Sequence, residues 1–137
     1  MTKAVCHDDY RCTRSGAEAS VRAIRSASSS WSKTAASAEG TAANLVEVGI
    51  VMQARRGDDG ERDLDLLLAK LRVDIAAVTA SQADLARKAF RRYGRGRHAA
   101  NLNFGDCFAY ALAKDKSAPL LFKGGDFGRT DVMVASY

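Results

Sequence analysis

From Asn44 onward, apolar residues recur at helical spacing in segments separated by short apolar runs, and no two-residue hairpin turn joins those runs. Strands without hairpins need crossover connections, so the pattern predicts an α/β domain with a mostly parallel sheet flanked by helices. Residues 44–55 read as a helix that is apolar on nearly every side, through Leu45, Val46, Val48, Ile50, Val51 and Met52, and therefore buried. Gly57, Asp58, Asp59 and Gly60 break it, after which Leu64, Leu67, Leu68 and Leu71 recur at i, i+3, i+4, i+7 in an amphipathic helix. A short strand over 73–78 follows. Ser81 with Asp84 resembles a capping pair, opening a helix with Ala83, Ala86, Phe90 and Tyr93 on one face and basic residues on the other. Residues 94–101 form a Gly- and Arg-rich loop. Phe104, Phe108, Ala111 and Leu112 mark a helix ending near Lys114, and Pro119 introduces a strand over 120–122.

The residues before Ala42 have a different character. Ser and Ala dominate, Val21, Ile24 and Trp31 stand isolated, and the Ser28-Ser29-Ser30 run has no packing face, although a helix over 17–25 fits. A chain of 137 residues suits one domain, so the expected organisation is a divergent Ser/Ala-rich segment over 1–41 and a folded domain over 42–137. No stretch approaches the roughly 18 apolar residues of a membrane span, and no apolar signal core opens the chain, which predicts a cytoplasmic protein without a membrane partner. Cys6, Cys12 and Cys107 lack a CxxC spacing, and with His7 and His98 they complete no zinc pattern, so reduced thiols are expected.

Three acids stand out. Glu47 lies inside an otherwise apolar helix, where an ionised group needs a partner. Asp106 lies in the first turn of the Phe104 helix, a position that the helix dipole favours for any acid, while Gly105 beside it costs roughly 1 kcal/mol in a helix unless close approach requires it. Asp126 follows the 120–122 strand in Gly124-Gly125-Asp126, at the strand end where parallel sheets place their sites, although the same residues also make ordinary turns. Converging carboxylates are hard oxygen ligands suited to Mg2+ or Mn2+. The strongest charge feature is Arg87, Lys88, Arg91, Arg92, Arg95 and Arg97, interleaved with Tyr93 and His98 in a chain of net charge +5. Such a run is either a solvated helix face or a phosphate-positioning surface.

Four segments together, Ala42-Ala43-Asn44-Leu45-Val46-Glu47, the residues from Arg92 to His98, those from Asn101 to Ala113 and those from Leu120 to Phe127, closely resemble VapC-type PIN-domain ribonuclease toxins. The resemblance runs from about Ala42 to Val132 with the elements in the family's order. It implies a three-layer α/β/α PIN-like domain and an acidic pocket that binds Mg2+ or Mn2+ and hydrolyses RNA phosphodiester bonds. It also implies a cognate VapB-type antitoxin and a homodimer, as in a type II toxin-antitoxin pair. Carried over by position, Glu47 matches the family's second acid, Asp106 the third, and Asp126 lies in the segment of the fourth, with Asp131 as a competing candidate. Arg91, Arg92, Arg95 and Arg97 would hold the RNA backbone.

The chain departs from the family at its opening, where a hydrophobic strand normally runs into the first catalytic Asp. Ala4-Val5-Cys6 before Asp8 and Asp9 is a weak counterpart, so the first strand is expected to be missing or replaced and one metal ligand absent. Read one base later, the codons of residues 7–12 can spell Met-Thr-Ile-Ile-Asp, a plausible family opening, which would make the residues before about Ala42 an out-of-frame translation. Two further readings stand beside the metal-dependent endoribonuclease: a PIN-like remnant that binds antitoxin or RNA without cleaving, and a basic nucleic-acid-binding module.

Overall fold

The computed structural model describes the backbone of Ala4–Cys6, residues 38–122 and residues 124–135. Asp8, Asp9, the 17–25 helix and the 7–12 segment of the alternative reading frame lie outside the described residues. A four-stranded, all-parallel sheet is formed by β1 (Ala4–Cys6), β2 (Ala38–Thr41), β3 (Asp74–Ala76) and β4 (Leu120–Leu121), in the spatial order β3-β2-β1-β4. Ala4–Cys6 therefore fills the central slot expected to be missing or replaced. It pairs Ala4 with Ala38 and Val5 with Glu39 on one side, and Val5 with Leu120 and Cys6 with Leu121 on the other. The sheet takes in Ala38–Thr41, all four buried, so it begins before the boundary expected at Ala42. Because the strands are parallel, β1, β2 and β4 all end on the same edge. The strand order reverses at β1, which makes that edge the topological switch point where α/β proteins build their sites.

The helices follow from capping and from small residues. Thr41 ends β2 and opens α1 (Ala42–Leu71), its Oγ1 accepting the Asn44 backbone N–H at 2.9 Å and donating to Asn44 Oδ1 at 2.7 Å. The expected break at Gly57 is a kink: Gly57 has φ +61° and ψ −150°, a conformation glycine tolerates, and the helix resumes beyond it. The expectation that residues 44–55 are buried all round is corrected, because Val46 and Ile50 are 61% and 65% exposed. The long apolar run packs through Met52 and leaves an outward apolar stripe one helical turn long.

Helix α2 (Ala80–Tyr93) is capped by Thr79, whose hydroxyl accepts from Gln82 N at 3.1 Å, and not by the Ser81–Asp84 pair; Asp84 instead meets Arg87 at 3.2 Å on the surface. Its apolar face packs on α3 (Phe104–Asp115), and α3 in turn lies on β1, β2 and β4. Ala86 and Ala89 of α2 and Ala109, Ala111 and Ala113 of α3 belong to one buried core, which also takes in Tyr93, Leu102, Tyr110, Leu112, Leu120 and Phe127. Alanine at these contacts lets two helices and a sheet approach closely without forced rotamers. Phe104, read as an apolar marker of its helix, is 71% exposed, while Phe108 is half-buried.

Candidate acidic site and its basic loop

The turn from Leu102 to Asp106 holds the first half of the site. Asn103 caps α3 by accepting the Asp106 N–H at 2.9 Å, and the Asp106 carboxylate accepts the Asn103 N–H at 2.6 Å, a reciprocal capping box. Asp106 is 1% exposed. The capping role that its position alone predicts is therefore present. The short, charge-assisted bond also fixes the carboxylate in one orientation at the positive end of the helix.

Glu47 comes to the same turn from α1. A Cβ placed on Gly105 would fall on the Glu47 Oε2 atom, 2.9 Å from Glu47 Cδ and 3.1 Å from Asn44 Nδ2. The missing side chain at Gly105 thus makes the space in which the Glu47 carboxylate sits, one residue before Asp106. Asn44 clamps this contact by donating from Nδ2 to the Gly105 carbonyl at 3.0 Å while its Oδ1 is held by Thr41. Sequence reasoning missed Asn44, although it stands on the same helix face one turn before Glu47, a spacing that aims both side chains at one neighbour.

Asp126 precedes a short 3-10 turn (Phe127–Arg129), half-buried, and its carbonyl accepts the Arg129 N–H at 3.2 Å. Among the described residues, no three His, Cys, Asp or Glu side chains come together at metal-binding spacing. The structure brings Glu47 to the Asp106 turn and does not add Asp126 to a cluster with them. Two carboxylates still fit Mg2+, which is commonly bound by one or two carboxylates with water and substrate phosphate completing its octahedron. Cys107, behind Asp106, is a free buried thiol pushed up to about 12, chiefly by burial and further by the Asp106 charge, so it stays protonated.

Asp131, the competing acid, belongs elsewhere. It accepts from the Tyr110 hydroxyl at 2.8 Å and from Lys114 Nζ at 3.2 Å, with Arg92 at 3.7 Å. Burial works against its charged form, but the Tyr110 hydroxyl, Lys114 and the Tyr93 hydroxyl outweigh burial and hold its pKa below the usual carboxylate value. Burial, aided by Asp131, pushes the Tyr110 hydroxyl upward. A depressed carboxylate contributes stability that is present above its unfolded pKa of about 4 and is lost as pH falls through the lower folded value. The Asp131 contribution should therefore be lost progressively as pH falls below about 5, and Asp131→Asn should shrink the acid decline seen in thermal melts between about pH 7 and 2. An unchanged acid limb in the variant would show that other carboxylates set it.

The basic loop is rigidly built. Leu102 N donates to Tyr93 O and Arg95 N to Leu102 O, both at 2.9 Å, closing a bridge across residues 94–102. His98 Nδ1 accepts from Ala100 N at 3.0 Å, its ring edge-on to Tyr93 at 5.1 Å, and Arg129 donates to the Ala99 carbonyl at 2.8 Å. The Arg97 guanidinium lies 5.8 Å over the Phe90 ring and that of Arg92 4.9 Å over Tyr93. Arg91, Arg95 and Arg97 are all exposed, on the stretch leading into the Asn103–Asp106 turn. No helix among the described residues is long and apolar enough to cross a membrane.

A sequence model of the PIN domain family matches residues 9–133. Ribonuclease VapC30 of Mycobacterium tuberculosis is 54% identical over 94 residues, covering 69% of this chain and 72% of that protein. Ribonuclease VapC of Mycolicibacterium smegmatis is 57% identical over 90 residues, 66% and 70% of the respective chains. The crystal structure of Mycobacterium tuberculosis VapC20, described as a sarcin-ricin loop cleaving toxin, superposes with a TM-score of 0.60 at 17% identity over 77% of this chain and 78% of that one, a likeness of fold. The all-parallel sheet with its switch-point edge and these matches agree, and the chain belongs to the PIN-domain family, in its VapC branch.

Proposed function

We propose that this chain is a divalent-metal-dependent endoribonuclease, the toxin of a toxin-antitoxin pair, with Glu47 and Asp106 as metal ligands and Asp126 as a further acid. The observation that carries this reading is the seating of the Glu47 carboxylate in the space left by Gly105, beside an Asp106 whose orientation is set by its capping box. Relatives about half identical in sequence are named ribonucleases. A divalent cation, when bound, lowers the pKa of its water and stabilises charge on the scissile phosphate. Glu47 and Asp106 supply fixed oxygen donors at the sheet edge, and the rigid backbone of residues 94–102 presents Arg95 and Arg97, with Arg91 and Arg92 behind them, to the RNA backbone. Val46 and Ile50, exposed and one turn apart on α1, offer the apolar contact that a VapB-type antitoxin or a second copy in a homodimer would cover.

The test is cleavage of structured RNA by the purified chain with Mg2+ or Mn2+ and with EDTA. Cleavage restricted to the metal-containing reactions is expected, and undiminished cleavage in EDTA would overturn the metal assignment. Replacing Arg95 and Arg97 by Ala should weaken RNA binding and flatten its salt dependence by roughly 0.7 in log–log slope for each phosphate no longer neutralised; an unchanged slope would place the RNA elsewhere.

A second reading, a PIN-like remnant that binds without cleaving, is favoured by one observation: no third acid joins Glu47 and Asp106 among the described residues. Calorimetric titration with Mn2+ separates the two. A stoichiometric tight site supports the enzyme, and no measurable site supports the remnant.

A further inference from the structure

We propose that Phe104, at the same helix end as the acidic turn, is a stacking platform for an unpaired base of the RNA; this inference rests on the ribonuclease reading and adds a substrate-positioning residue to it. Phe104 is 71% exposed, the most exposed large apolar side chain among the described residues. An isolated exposed apolar residue needs no explanation on its own. Its place does. Phe104 is the first residue of α3, directly after the Asn103 cap and directly before Gly105, on which the Glu47 carboxylate sits, and Asp106. At that exposure the ring adds little to the buried core, so packing within the fold does not account for an aromatic residue there.

The ring is also held. Phe108, one turn later on the same face, meets it edge-on, with centroids 4.9 Å apart and planes at 66°. Phe108 is half-buried, so it anchors Phe104 while leaving most of the Phe104 surface open to solvent. A fixed aromatic face is what an unstacked base packs on, since every base has a π-face and stacking is indifferent to sequence. The occupant's charge is indicated by the loop entering this turn, where exposed Arg95 and Arg97 stand on a backbone tied to Tyr93 and Leu102. A polyanion carrying a flat apolar group satisfies both features, and a paired base, stacked in its helix, cannot reach the ring.

The experiment uses the full chain with Asp106→Asn to keep RNA intact, and a single-stranded RNA octamer carrying 2-aminopurine, compared with the same strand in duplex. Binding of the single strand should quench the 2-aminopurine fluorescence. Phe104→Ala should abolish the quenching and weaken binding roughly 10- to 100-fold, Phe104→Trp should restore both, and the duplex should bind alike to all three. Because the side chain is exposed, thermal melts of the variants should coincide with the parent. Equal quenching and affinity in Phe104→Ala would overturn the platform while leaving the ribonuclease reading intact. A change in sedimenting mass with RNA binding unaltered would also overturn it, assigning the ring to a contact between copies. Failure of the parent to bind RNA would overturn the platform and the reading together.

Discussion

Replacing Asp106 by Asn is expected to lower metal-dependent RNA cleavage at least about 100-fold, beyond the 10- to 100-fold typical of losing a residue that only supports a metal ligand. The fold should survive the change. Asn keeps an oxygen that accepts the Asn103 N–H, so the capping box loses charge but not its acceptor. The helix loses an acid at its N-terminus, worth roughly 0.3–1 kcal/mol. Cleavage assays and urea denaturation on the same preparation check both halves. Retained cleavage would return Asp106 to a purely capping role, whereas loss of cleavage through unfolding would appear as a collapsed denaturation midpoint.

Gly105→Ala should give the second largest effect, for a different reason. In an open helix the substitution would stabilise by about 1 kcal/mol through propensity alone. Here the new methyl group takes the space of the Glu47 carboxylate and crowds Asn44 Nδ2 at 3.1 Å. The Glu47 carboxylate is the end of a flexible side chain and can swing away, so the collision displaces a functional group without breaking the core. Cleavage should fall roughly 10- to 100-fold, the range seen when support of a metal ligand is removed, while the thermal midpoint moves by only a few degrees. A double-mutant cycle with Glu47→Ala gives the check: once Glu47 is removed, adding Gly105→Ala should cost little further activity. Additive losses would mean that Gly105 does not act through Glu47.

Much of this architecture was legible because periodicity is local. The Leu64 and Ala86 helices, the parallel crossovers and the Gly57 break follow from residue spacing, and the break is realised as a kink because glycine accepts φ +61°. The cap of α2 lies two residues before the position that spacing suggests, since Thr79 and Ser81 both have the chemistry and only the helix start decides between them. Residues 44–55 misled more seriously. An all-round apolar run implies burial, yet Val46 and Ile50 face outward, because composition cannot say which side another element covers.

The sequence by itself determined the helices, the two strands that follow residue 72, their parallel crossovers and the family likeness that singled out Glu47 and Asp106, because each of these depends on local spacing or on matched motifs; Ala38–Thr41, inside the Ser/Ala-rich segment, does not read as a strand. It also marked Gly105 as a residue with a cost to explain. Only the tertiary structure decided what that cost secures. Glu47 and Gly105 are far apart in the chain and meet only when α1 packs on α3, and Asn44 becomes a clamp only at that contact. The same is true of Asp131, which joins Tyr110, Lys114 and Arg92 through chain folding, and of Ala4–Cys6, whose three residues carry too little pattern to announce a strand until β2 and β4 pair with them on either side. Long-range contacts of this kind are set by which faces pack together, and no local spacing encodes that choice.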